Sequence, residues 1–171
     1  ARSLTLGLLA AAGRVIAVSD IAGGIHDERG IDLKALDEWR VENDGIAGFP
    51  GSKDVSNTEL LELPCDVLVL AATENQVTAA NAGRLETKLV AEGANGPTSL
   101  EGDEILAERG IPVLPDILTN AGGVAVSYFE WVQDIQQFLW TEEQTNQKLQ
   151  ELMHRAFRQV RILAVERKLS M

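Results

Sequence analysis

Four short apolar runs punctuate this chain: Val15-Ile16-Ala17-Val18, Asp66–Ala72 (DVLVLAA), Lys88–Glu92 (KLVAE) and Ile111–Leu114. Segments of helical spacing separate them. Strands that are apolar on both sides are buried on both faces, the mark of a parallel sheet, and parallel neighbours need a crossover between them. The alternation of strand and helix with short loops therefore predicts an α/β fold built on a doubly wound parallel sheet.

The helical segments carry their own start and stop signals. Leu4, Leu8, Leu9 and Ala12 share one helical face, with Gly13 as the stop. Asp32 is the expected N-cap of a helix over 32–43 that turns Leu33, Leu36 and Trp39 inward. Ser56 with Glu59 and Thr98 with Glu101 are spaced as capping boxes, the second ahead of a helix over 99–109 that Gly110 ends. From Asn120 onward the pattern is helical only. One helix runs from Asn120 or Ala121 to about Leu139, and Thr141 with Gln144 opens another that reaches Arg167. Leu149, Leu152, Met153, Ala156, Phe157, Val160, Leu163 and Ala164 form one apolar stripe on the last helix, which needs a surface to lie on. The expected division is 1–119 for the sheet layer and 120–171 for the C-terminal helices.

Composition narrows the partners. A formal charge of −11 argues against a nucleic-acid surface or an anionic membrane. A single cysteine, Cys65, excludes an internal disulfide framework and fits a reducing compartment. "LTLGLLAAAG" lacks the basic flank of a signal peptide, and no apolar run reaches membrane-spanning length. The cytoplasm is the default expectation. His26, His154 and Cys65 show no metal-ligand spacing, so no metal is expected.

In open α/β sheets a ligand sits beyond the carboxyl ends of the strands, and here each strand end is unusual. The first run stops at Asp20, followed by Gly23-Gly24. An acid there can accept the ribose hydroxyls of NAD and would repel the extra phosphate of NADP; a turn-capping Asp is the competing explanation. At "LAATEN" (70–75), Ala71 and Ala72 either let a flat ring approach the backbone or pack under a helix. In "AEGANGPT" (91–98), Asn95 either offers its carboxamide to nicotinamide or occupies a left-handed turn. The fourth end, "PDILTNAGGVAVSYFEW" (115–131), starts a helix with two glycines. Each costs about 1 kcal/mol relative to alanine, which points to close approach by a ligand or another backbone. Val124 and Ser127 share one helical face, where the hydroxyl can meet a substrate carboxylate or serve as helix filler.

Taken together, "IAVSDIAGGI", "AATENQVTAANA", "LVAEGANGPTS" and "VLPDILTNAGGVAVSYFEWVQD" resemble the cofactor domain of glutamate dehydrogenase, in order and over nearly the whole chain. The resemblance implies a Rossmann-like domain and reversible oxidative deamination of L-glutamate to 2-oxoglutarate and ammonia with NAD or NADP, in a homohexamer. It implies that Asp20 holds the adenosine ribose, Ala72 lies along the cofactor, and Asn95 and Asn120 face nicotinamide. Val124 and Ser127 would meet the substrate. A catalytic lysine is implied for a separate N-terminal domain, against which the terminal helix would pack; none of Lys34, Lys53, Lys88, Lys148 and Lys168 has a catalytic context.

No G-x-G-x-x-G occurs, and its place falls just upstream of residue 1, so the sheet is expected to be incomplete on its N-terminal side. The chain alone is accordingly expected to be inactive, to bind NAD weakly and to associate through an open sheet flank. Two other readings stand beside this one: a non-catalytic regulatory paralogue, and a leucine- or phenylalanine-type dehydrogenase, which "SYFEW" disfavours.

Overall fold

A computed structural model of the chain describes residues 13–171. The helix expected around Leu4–Ala12 lies outside the described residues. The described backbone divides into two compact units, the first reaching to residue 64 and including 84–86, the second comprising residues 65–83 with 87–171.

The first unit holds a three-stranded sheet of β1 (Ala17–Ser19), β2 (Gly24–His26) and β3 (Lys53–Val55). All of its pairings are antiparallel, with Val18 opposite Ile25 and Ile25 opposite Asp54. This differs from the parallel strand expected at Val15–Val18. The reason is the turn that follows: the Asp20 N–H donates to the Gly23 carbonyl at 2.8 Å, and Gly23 takes φ +151°, so the chain reverses at once. A Cβ at Gly24 would lie 2.7 Å from the end of the Leu60 side chain, so a larger residue there requires Leu60 to shift. Helix α1 (Leu33–Asn43) starts as expected at Asp32, whose carboxylate accepts from the Lys34 and Ala35 N–H groups. Ile25, Ile31, Leu33, Leu36 and Ile46 form the core of this unit, with Val15, Val18 and Phe49 against it. The expected capping box of Ser56 and Glu59 opens the short helix α2 (Asn57–Leu61).

The second unit carries the parallel sheet, β4 (Cys65–Leu70), β5 (Thr87–Glu92) and β6 (Val113–Leu114), in that order. Leu68 lies opposite Val90, and Val90 opposite Val113. Helix α3 (Leu100–Glu108) crosses from β5 to β6 and buries Leu106 completely. Its N-cap is Ser99, which accepts from the Gly102 N–H, rather than Thr98. The Thr98 hydroxyl is instead buried, without a hydrogen-bond partner among the described residues. Gly110 ends the crossover at φ +70°.

Helices α4 (Asp116–Thr119), α5 (Ala121–Gln136) and α6 (Glu142–Arg167) complete the unit. The capping box of Thr141 and Gln144 starts α6 as expected. Its apolar stripe lies against α4 and α5. Leu149, Leu152, Met153, Ala156, Phe157 and Val160 are half-buried, Ala164 is buried and Leu163 remains exposed. Among the described residues no helix is long and apolar enough to cross a membrane, and no cluster of His, Cys, Asp or Glu could hold a metal ion.

Candidate functional site

The carboxyl ends of β4 and β5 open onto the first turns of α5. Between them lies a cavity of about 640 Å³. Ala72, Asn95, Asn120, Val124 and Ser127, singled out from the sequence, all line it, together with Ala71, Gly93, Ala94 and Gly123.

Its floor is made by backbone. The Gly93 and Ala94 N–H groups both donate to the Leu70 carbonyl, at 2.9 and 2.8 Å, folding the exit of β5 across the end of β4. A Cβ on Gly93 would stand 3.3 Å from the Cβ of Ala71, so the two strand ends meet only because both residues are small. The small residues at 71–72 and 93–94 leave a shallow, low wall.

Asn95 projects from the loop after β5. The left-handed turn falls to its neighbour, since Gly96 carries φ +53° and Asn95 has no positive φ. The Asn95 side chain instead accepts from the Asn120 carboxamide at 2.7 Å. Asn120 ends α4 and begins α5 with φ −97° and ψ −1°, yet its side chain caps neither helix. Asparagine is a favoured cap, so a carboxamide diverted across the cavity forgoes that stabilisation.

The glycines that open α5 have no internal justification among the described residues. A Cβ at Gly122 would make ordinary contact with Leu149 at 3.8 Å, and one at Gly123 would meet nothing within 4 Å. One turn on, Val124 is 76% exposed and Ser127 is exposed beside it. None of the nine described residues that line it is titratable. This surface can hydrogen-bond and orient a ligand, and it cannot donate or take up a proton at neutral pH.

Two carboxylates that sequence reasoning did not select stand just behind the lining. Glu92, 8% exposed at the end of β5, accepts the Asp116 N–H at 3.0 Å. Asp116 in turn accepts the Gly96 N–H at 2.9 Å. An acid directly after Pro115 at a helix start was the only local signal for the second.

Asp20 belongs to the first unit. Its two carboxylate oxygens accept the N–H groups of Ala22, at 2.8 Å, and Ile46, at 3.2 Å, so the turn-capping role is real. Each oxygen keeps a second lone pair. The first unit also has a concavity of about 520 Å³ beside Trp39 and Phe49, lined by none of the residues expected to touch cofactor or substrate. Asp27 on its rim is paired with Arg29 at 3.0 Å, which holds that carboxyl below its usual range.

The model of the glutamate/leucine/phenylalanine/valine dehydrogenase family matches residues 2–171. The chain belongs to that family. It is 50% identical over 147 residues to a glutamate dehydrogenase of Thermotoga maritima, covering 86% of this chain and 35% of the relative. It is 45% identical over 161 residues to the cryptic catabolic NAD-specific glutamate dehydrogenase GudB of Bacillus subtilis, covering 94% of this chain and 38% of the relative. Among solved structures, the hetero-hexameric glutamate dehydrogenase of Thermus thermophilus, in its leucine-bound form, superposes with a TM-score of 0.91 at 27% identity, covering 99% of this chain and 40% of that one. This member of the amino-acid dehydrogenase family thus spans a little over a third of the length of the curated relatives it matches.

Proposed function

We propose that the chain is the cofactor-binding part of a glutamate dehydrogenase, which interconverts L-glutamate with 2-oxoglutarate and ammonia using NAD, with NADP as a possible second cofactor. One observation carries this reading: five residues chosen from three separate strand ends line a single cavity beside a helix whose opening glycines no packing contact among the described residues explains.

The lining suits a nicotinamide ring. Ala71, Ala72, Gly93 and Ala94 leave room for a flat group, while Asn95 and Asn120 offer carboxamide donors and acceptors. When bound, NAD supplies the acceptor for hydride from the substrate α-carbon. The residues here then have positioning roles. Asn95 and Asn120 fix the ring by its carboxamide, and Val124 and Ser127 receive the substrate side chain and its distal carboxylate. In the first unit, the remaining lone pairs of Asp20 receive the adenosine ribose hydroxyls.

Placement alone is worth several kcal/mol of barrier, but the reaction also needs tuned proton transfer near the α-amino group. The described residues of the cavity lining include no group for that task, so we assign it to the remaining length present in the relatives. The full polypeptide is proposed to work as a homohexamer; the Thermus relative is itself described as a hexamer, of mixed subunits.

The test is glutamate-dependent reduction of NAD, followed by absorbance, in the full polypeptide and in the 171-residue chain. Turnover is expected only in the full polypeptide, and Asp20→Asn should raise its KM for NAD. Turnover by the chain alone, or a full polypeptide that oxidises leucine and not glutamate, would refute the reading.

A further inference from the structure

The two carboxylates behind the cavity close a ring of contacts. Glu92, at the end of β5, receives the backbone N–H of Asp116 at 3.0 Å. Asp116 accepts the Gly96 N–H through one oxygen at 2.9 Å and the Ile117 N–H through the other at 2.6 Å. Its own carbonyl accepts the Asn120 N–H at 2.9 Å, at the far end of α4. The Asn120 side chain then reaches back to Asn95, which is bonded covalently to Gly96.

The loop around Asn95 is tied on both flanks. Gly93 and Ala94 are held by the Leu70 carbonyl, while the Gly96 and Pro97 carbonyls accept the N–H groups of Asn75 and Gln76 at 3.0 and 2.7 Å. Those ties connect the loop to the β4 side of the cavity. Asp116 is what connects it to α4, the element that carries Asn120. Without that link, the two carboxamides ride on separately anchored segments. A buried acid is costly unless its lone pairs are satisfied, and the Asp116 N–H at the start of α4 satisfies one of those of Glu92.

We propose that Asp116 and Glu92 are positioning residues, which set the separation and orientation of the Asn95 and Asn120 carboxamides in the cavity. This rests on the reading of that cavity as the nicotinamide end of a dinucleotide site. Hydrogen bonds to a charged acceptor stabilise more than neutral ones, so their loss is felt at the paired amides as disorder about the bound geometry.

The experiment uses the full polypeptide, with NADH fluorescence titration and a crystal structure of each variant. Asp116→Ala should raise the NADH dissociation constant about ten-fold. Asp116→Asn, whose amide oxygen serves only one of the two N–H groups, should raise it about three-fold, and it carries the test should the alanine variant fail to fold. Asn95→Ala should weaken binding to a similar degree. The double variant with Asp116→Ala should then be no weaker than Asn95→Ala alone, because the aspartate acts through that asparagine. In the crystal, the Asn95–Asn120 contact should open in Asp116→Ala. An unchanged contact there, or effects of the two substitutions that multiply in full, would overturn the inference. If Asn95→Ala binds NADH as the parent does, the reading of the cavity fails instead, and the crystallographic contact still decides the role of Asp116.

Discussion

Replacing Gly123 by alanine should stabilise the protein and cripple its cavity at once. Gly123 is the third residue of α5, and a Cβ there meets nothing within 4 Å among the described residues. Alanine in place of glycine inside a helix is worth about 0.5–1 kcal/mol, with the lower figure apt in a first turn. For a chain of this size that raises the melting temperature by about 2 °C. The same methyl group intrudes on the cavity that Gly123 lines. Crowding a fitted contact costs about 1–3 kcal/mol, so NADH affinity should fall about ten-fold. Gly102→Ala is the internal control. It lies in α3, and its Cβ would stand 2.9 Å from the Val77 carbonyl oxygen, a backbone atom that cannot swing aside. There the helix gain is overrun and stability falls. Thermal unfolding of the 171-residue chain and NADH titration of the full polypeptide read the two effects separately. A Gly123→Ala variant destabilised like Gly102→Ala, or one that binds NADH unchanged, would refute the claim that this glycine makes space for a ligand.

Two further outcomes follow from the packing and the charges. Ile25 is fully buried in the core of the first unit, so Ile25→Ala should destabilise by about 2–5 kcal/mol, read as a drop in the denaturant midpoint; a change under about 1 kcal/mol would mean that this core is loosely packed. Acid should also weaken the fold. Glu59 is held below its usual range by the Ser56 N–H and hydroxyl, Glu62 by Arg84, and Asp27 by Arg29. Groups whose pKa is lowered on folding stabilise above their unfolded values and lose that contribution as pH falls through the folded ones. The denaturant midpoint should therefore be flat near neutrality and decline below about pH 4.5; Glu59→Gln should blunt the decline, and a midpoint indifferent to acid would contradict the pairings.

What could be read from the sequence was what short-range chemistry decides. Asp32, the Ser56–Glu59 pair and the Thr141–Gln144 pair cap their helices as expected, since a cap needs only residues within one turn of it. The apolar runs at β4 and β5 gave the parallel pair. The antiparallel sheet was missed because its strands are three residues long, too short for any period to show, and because β2 pairs with β3 some thirty residues on. The cap of α3 was misplaced by one residue, where Thr98 and Ser99 offer the same hydroxyl and only geometry chooses Ser99. In the cavity, the residue types at the strand ends were legible, and the contact of Asn95 with Asn120 was not. Nor was the ring through Glu92 and Asp116, which joins positions 20 and 24 residues apart.

A pocket walled by alanine, glycine, asparagine, valine and serine has a chemical personality of its own: these side chains do not titrate. Among the described residues, nothing in that wall changes charge across the physiological range. Whatever bell-shaped rate profile the full polypeptide shows is therefore written by groups outside this wall, and swapping its carboxamides should scale such a curve up or down while leaving its inflections where they were.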